Sequence, residues 1–330
     1  SWIIWTVSFF SIRLFRMNNN KIVMMGTTDF AVPALEALAK SNYQVVCVVC
    51  QPDRPNGRGK RVHYLPMKQK ALSLGIPVFQ PEKIREPEAV KKLSAMDADF
   101  FVVAAYGQIL PQNVLDLPRK GCINIHGSLL PQYRGAAPIH HAIIDGAPET
   151  GVTLMKMDAG MDTGDMLDKR VLPITDTTTV GEMHDALAEL GAKLLIPTLD
   201  QLVAGKIESI AQDDEQATYA DKVDKHTGCI DWNQTGEKIR RRINGTDPYP
   251  GAYTTLNGEK MKCYSPKVIL GEFQGEVGQI IKANPKDGLI IKTVDGCISL
   301  GEVQMPGKRR MEVTEFLRGH HLNLKTVLGH

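Results

Sequence analysis

Asn124 and His126 stand two residues apart in the apolar run Cys122-Ile123-Asn124-Ile125-His126. Side chains at i and i+2 of a β-strand share a face, so an amide and an imidazole project together. An amide N–H suits a developing oxyanion. A histidine is the default general acid or base near neutral pH. A second segment adds carboxylates: Met157-Asp158-Ala159-Gly160-Met161-Asp162-Thr163-Gly164-Asp165 follows an apolar run over residues 152–155. Its glycines allow tight bends, and such a turn can hold a carboxylate against an imidazole. Its three aspartates do not make a calcium loop, because the 1-3-5 spacing and the distal glutamate are missing. The Asn–His pair also fits a purely structural role, with both groups satisfying loop backbone.

These residues need a scaffold, and the flanking pattern supplies one. Residues 21–25, 45–50, 76–79, 99–105 and 122–126 read as strands. Helical patterns lie between them, with Pro33, Leu35, Leu38 and Ala39 on one face of the first, then 67–74 and 88–95. Alternating strands and helices predict an α/β fold, a doubly wound and mostly parallel sheet, which binds ligands at the carboxyl ends of its strands. A helix over 180–202 closes this half. The polar stretch Gln212-Asp213-Asp214-Glu215-Gln216 reads as a linker. Beyond it, short alternating runs at 252–256, 261–264, 276–282, 289–293 and 297–300 predict a small β-barrel of the oligonucleotide-binding (OB-like) type. The expected division is a catalytic domain over 21–206, a linker over 207–225 and a barrel domain over 226–330.

Residues 1–20 stand apart. The stretch from Ser1 to Arg16 is apolar and aromatic, with its charges, Arg13 and Arg16, after the apolar part. It is shorter than the roughly 20 apolar residues of a membrane span and has the wrong charge order for a signal peptide. The reading adopted is a non-native or disordered extension preceding a start at Met17, in a monomer with no membrane association. The chain has 330 residues and a net charge of +2, so any nucleic-acid footprint must be local. Five of the six cysteines are expected in strand-like runs, as reduced thiols of a cytoplasmic protein. Cys47 and Cys50 would point to opposite faces of one strand, so no zinc or other metal site is expected from them. The first strand ends in Gly26-Thr27-Thr28-Asp29-Phe30, which lacks the glycine fingerprint of a nicotinamide enzyme.

The run Asn124-Ile125-His126-Gly127-Ser128-Leu129-Leu130-Pro131, followed by Met161-Asp162-Thr163-Gly164-Asp165, resembles the formyltransferase family that uses 10-formyltetrahydrofolate. The resemblance covers essentially everything from Lys21 onward. It implies that Asn124, His126 and Asp162 are the catalytic triad and that no metal is needed. It also implies that Ser128, Leu129, Leu130 and Pro131 contact a reduced folate, and that Tyr106, Ile109 and Leu110 line the pterin pocket.

One loop bears on the acceptor. Gln51-Pro52-Asp53-Arg54-Pro55-Asn56-Gly57-Arg58-Gly59-Lys60-Arg61 is rich in Pro and Gly and carries four cations against one acid. It reads as neither helix nor ladder strand and suits phosphate contact; a merely solvated loop is the other reading. It is similar to the insertion by which the tRNA-acting branch of the family grips an acceptor arm. By that likeness Arg58, with Arg54, Lys60 and Arg61, would touch the methionyl-initiator tRNA. The family also contains enzymes acting on water or on amino sugar nucleotides, and the sugar-nucleotide members lack this loop pattern. The sequence departs from the family pattern at residues 62–66 and 244–247, both near the presumed RNA contacts.

Overall fold

The computed structural model describes residues 20–56, 61–62 and 64–329. The expectation for the N-terminal extension therefore lies outside the described residues, apart from Asn20.

The main sheet has seven strands. They are β1 (Lys21–Met25), β2 (Gln44–Val49), β5 (Val78–Phe79), β6 (Phe100–Val103), β7 (Cys122–His126), β9 (Glu149–Lys156) and β10 (Met166–Pro173). Their order is β10-β9-β7-β6-β1-β2-β5. β5, β2, β1, β6 and β7 are mutually parallel, and β9 joins β7 antiparallel. β1 and β6 are almost wholly buried runs of Ile, Val, Met and Phe. That is the composition of parallel strands covered on both faces. Helices α1 (Val32–Lys40), α2 (Pro66–Ser73) and α3 (Pro87–Ala95) each carry a proline in the first turn, where its missing N–H costs no helical bond. The face that α1 buries is Ala34, Leu35 and Leu38. Ala39, expected on it, is exposed.

Between β2 and α2 the two-residue strands β3 (Pro55–Asn56) and β4 (Arg61–Val62) pair antiparallel. This corrects the expectation that the basic loop holds no ladder. Two rungs suffice to close a hairpin base, and a proline at a strand's first position is tolerated.

The chain divides into two compact units. The first comprises the chain up to His126 with Thr153–Asp168 and Ala188–Gln212; the second comprises Gly127–Val152, Lys169–Leu187 and Asp213–His330. One core of the first unit gathers Val23, Met25, Val49, Phe101, Val103, Tyr106, Leu110 and Cys122. Helix α4 (Gln112–Leu115) also lies in this unit, and the long α6 (Val180–Val203) ends in it.

In the second unit, β8 (Arg134–Gly135) pairs in parallel with β11 (Tyr219–Ala220). Strands β12 (Ala252–Leu256), β13 (Glu259–Leu270), β14 (Ile280–Asn284), β15 (Gly288–Lys292), β16 (Gly296–Gln304) and β17 (Met311–Glu312) form an antiparallel sheet. It runs β12-β13-β16-β15-β14, with β17 against β16. Trp232, Ile243, Met261, Ile280, Ile291, Ile298 and Phe316 fill its core, together with faces of α7 (Gly236–Gly245) and α8 (Val313–Gly319). α7 is capped by Thr235, whose side chain accepts from the Lys238 N–H. It lies against α5 (Pro138–Ile144). A Cβ on Gly245 would meet Ile144 Cγ1 at 2.6 Å, so glycine permits that approach.

Cys47, Cys50, Cys122 and Cys297 are buried, as their strand-like runs imply; Cys229, expected with them, is exposed after a short 3-10 turn, and Cys263, whose mixed stretch gave no strand, is buried in β13. Burial pushes the Cys47 and Cys50 thiols up to about 11.

Candidate active site

β7 sets the site. Asn124 is half-buried in an otherwise buried strand, and His126 is 7% exposed. Asn124 pairs in register with Val103, the last residue of β6, and its Nδ2 donates to the Val103 carbonyl at 3.2 Å. That bond orients the amide, since the reverse orientation would oppose two carbonyl oxygens. Asn124 Oδ1 is then buried with no hydrogen-bond partner among the described residues. Orphaned acceptors are rare in protein interiors, and one beside a histidine marks a place for a donor.

His126 Nδ1 lies 3.7 Å from Asp162 Oδ2, with both side chains mostly buried. The distance is longer than a direct hydrogen bond; contacts of this kind commonly tighten when substrate is present. Asp162 reaches this position from the turn between β9 and β10. It adopts φ +57°, a left-handed conformation that aspartate tolerates better than most residues. Asp158 braces the turn from within, accepting from the Gly160 N–H at 3.0 Å and the Thr163 hydroxyl at 2.5 Å. The turn's ends are fixed by the Met157 N–H on the Cys122 carbonyl and the Lys156 N–H on the Asp165 carbonyl, both at 2.8 Å. The structure thus brings Asn124 and His126 onto one strand face and sets Asp162 beside His126.

The residues expected around the pterin are placed unevenly. Tyr106 is 2% exposed, within the first unit's core, and its hydroxyl has no partner among the described residues. Burial drives its phenol well above the ordinary range. Leu110 is in the same core, whereas Ile109 is 87% exposed. The loop bearing them is tied down at Tyr106, whose carbonyl accepts from Thr27 Oγ1 at 2.7 Å, and at Gly107, whose carbonyl accepts from Gln51 Nε2 at 2.8 Å. Gln108 donates to Gln51 Oε1 and accepts the Ile84 N–H.

In the second unit, Ser128 is buried and its hydroxyl closes a turn on the Gln132 carbonyl at 2.6 Å. Leu129 is half-buried, with Cδ2 at 2.5 Å from where a Cβ on Gly151 would stand. Leu130 is buried, its carbonyl accepts from Lys169 Nζ at 2.8 Å, and a cis peptide joins it to Pro131. The half-buried Lys169 ammonium is held below its ordinary pKa by desolvation. Neither Lys169 nor Gly151 is identifiable from sequence, because their roles come from pairing across elements.

Of the basic loop, Arg54 is exposed and pairs with Glu82 at 3.3 Å. Arg58 and Lys60 lie outside the described residues, and of Arg61 only the backbone pairing with Asn56 is described. The other basic clusters are engaged within their own unit. Arg240 and Arg241 pair with Glu237, and Arg242 donates to the Thr227 carbonyl. Arg309 pairs with Glu315, and Arg310 with Asp247 and Glu302.

A strand-end amide and imidazole, with a carboxylate presented by the adjoining turn, are the groups of a group transferase that works on a carbonyl carbon. The sequence profile described as "Formyl transferase" matches residues 20–199, and "Formyl transferase, C-terminal domain" matches residues 222–321. The methionyl-tRNA formyltransferase of Acetivibrio thermocellus is 47% identical over 310 residues, covering 94% of this chain and 99% of the relative. That of Bacillus subtilis is 46% identical, covering 94% and 98%. The chain belongs to the methionyl-tRNA formyltransferase family. Solved structures share the fold at lower identity. The sugar 3N-formyl transferase WlaRD, crystallised with dTDP and 5-N-formyl-THF, gives a TM-score of 0.61 at 20% identity, over 88% of this chain and 99% of that one. HypX from Aquifex aeolicus in complex with tetrahydrofolic acid gives 0.59 at 15%, over 90% and 46%.

Proposed function

We propose that the protein transfers the formyl group of 10-formyltetrahydrofolate to the amino group of methionyl-initiator tRNA, as a monomer in the cytoplasm. The carrying observation is the His126–Asp162 pair at 3.7 Å, with Asn124 on the same strand face as His126 and only one of its two Nδ2 hydrogens engaged by the Val103 carbonyl. Near-full-length similarity to methionyl-tRNA formyltransferases supports the choice of acceptor.

The folate supplies a formyl carbon bonded to its N10. Asn124 and protonated His126 donate hydrogen bonds to the formyl oxygen as the amine nitrogen adds to that carbon and negative charge develops. Asp162 orients the imidazole and, through a bridging water, helps carry a proton from the amine toward N10 as the carbon–N10 bond breaks. The atoms balance: one C–N bond forms, one breaks, and one proton changes nitrogen. No metal is required. The residues present fit a reduced folate through the apolar, exposed Ile109 side chain and the Asn124 amide, whose Oδ1 has no partner among the described residues. Ser128, Leu129, Leu130 and Pro131 are assigned folate contact, as are Tyr106 and Leu110.

Residues 21–206 are assigned to catalysis and 226–330 to tRNA binding, joined by the linker 207–225. Arg54, Arg58, Lys60 and Arg61 are assigned to the acceptor-arm phosphates, where arginine and lysine give charge-assisted contacts.

A panel with a radiolabelled formyl donor tests the reading. Label should pass to charged initiator tRNA, far less to charged elongator methionyl-tRNA, and negligibly to an amino sugar nucleotide or to water. Preferential labelling of the sugar, or release of free formate alone, contradicts it.

A further inference from the structure

Gln212 is fifty residues from the aspartate turn in sequence, yet its side chain closes on it. Its Nε2 donates to the Asp162 carbonyl at 2.8 Å and to the Gly164 carbonyl at 2.7 Å. One amide nitrogen has two hydrogens, and both are spent on the carbonyls that bracket Thr163. The approach is held by a local strand-like contact, in which Met166 and Ile210 exchange backbone hydrogen bonds at 2.8 and 2.9 Å. The Ser209 hydroxyl also reaches Asp165 Oδ2 at 3.1 Å.

The fork acts where the turn needs it. Asp162 sits at φ +57°, a conformation that an L-residue keeps only when its surroundings impose it. The internal brace from Asp158 fixes the Gly160 amide and the Thr163 hydroxyl but leaves the Asp162 and Gly164 carbonyls to other donors. We propose that Gln212 is a positioning residue for the reaction: by pinning the carbonyls of Asp162 and Gly164 it holds the Asp162 carboxylate against His126. The inference rests on the reading of Asp162 as the orienting carboxylate. Gln212 touches neither the imidazole nor any reacting atom; its effect passes through the placement of Asp162.

Two substitutions separate donation from bulk. Gln212→Glu keeps the length and replaces both N–H groups by an acceptor facing two carbonyls; Gln212→Ala removes the side chain. Full-length variants are compared for kcat and for KM of the formyl donor, alone and combined with Asp162→Asn. A displacement of about an ångström costs on the order of 10²-fold in a well-aligned site. Both single variants should therefore lose roughly 10- to 100-fold in kcat, with KM for the donor within about twofold of wild type, as expected when binding contacts are untouched. In the Asp162→Asn background the further loss should vanish, the signature of two residues acting through one device. Wild-type kcat in both Gln212 variants, alongside a strong loss in Asp162→Asn, overturns the proposal and leaves the reading of Asp162 standing. Equal losses in both backgrounds also overturn it, since they mark independent effects. Wild-type turnover in Asp162→Asn itself removes the reading and the proposal together.

Discussion

Asn124 illustrates how much of a site hangs on a single orientation. Its Nδ2 bond to Val103 leaves the second N–H of that nitrogen, and an Oδ1 without a partner among the described residues, as the groups not committed to the sheet. Asn124→Ala is therefore expected to lower kcat on the order of 10²–10³, the usual cost of one oxyanion donor, with little change in donor KM. Steady-state kinetics at saturating tRNA measures this, and a rise in KM at constant kcat would reassign Asn124 to ground-state binding. The alternation that puts Asn124 and His126 on one face is legible in five letters of sequence. The inward burial of Tyr106 is not: aromatic side chains serve cores and ligand pockets alike, and only the folded chain places it in the buried cluster that holds Phe101, Val103 and Leu110. The reach of Gln212 is equally invisible, being a contact between segments fifty residues apart.

The turn between β9 and β10 is the element on which the carboxylate depends. A Cβ on Gly164 would stand 1.7 Å from the Lys156 carbonyl oxygen, a backbone atom with nowhere to go. Gly164→Ala should shift the turn, cost about 1–3 kcal/mol as overpacking does and depress turnover beyond what the lost stability explains. Thermal unfolding with parallel kinetics tests it; a variant with unchanged melting and turnover would show that the turn is not so constrained. Most elements were readable because period and punctuation agreed, as in β7 and in β12, which spans the expected 252–256. β13 was not. Only 261–264 is expected from the alternation, yet the strand runs from Glu259 to Leu270. Ser265 takes φ +54°, and the register passes from Tyr264–Glu302 to Pro266–Leu300 around it. Gly301 lies opposite, where a Cβ would meet Ser265 Cβ at 2.8 Å. A local bend thus carries the strand past its proline. β14 begins at Ile280 rather than 276 because the Gln279 N–H turns back onto the Glu276 carbonyl.

At the scale of the molecule, a net charge of +2 says little about partners, and the structure shows where several cations are spent. Arg310 serves Asp247 and Glu302 while lying 3.8 Å over the Tyr264 ring. Hydrogen bonds from Arg310 first, then from Ser265, hold the Glu302 carboxyl below its ordinary 4.5. A carboxyl depressed in the folded state contributes stability above its unfolded value and loses it as pH falls through the folded value. The chain's melting temperature should therefore drop as pH is lowered from about 5 through the depressed Glu302 value, and Glu302→Gln should flatten part of that slope. Calorimetry across that range checks it, and an identical slope in the variant would deny Glu302 the role. The central claim concerns formyl transfer at β7, and single-turnover transfer from 10-formyltetrahydrofolate to charged initiator tRNA by His126→Ala tests it most directly. The rate should fall on the order of 10²–10⁴, the range for positioned proton transfer, while the donor still binds. A His126→Ala protein that transfers formyl at the wild-type rate would contradict the account.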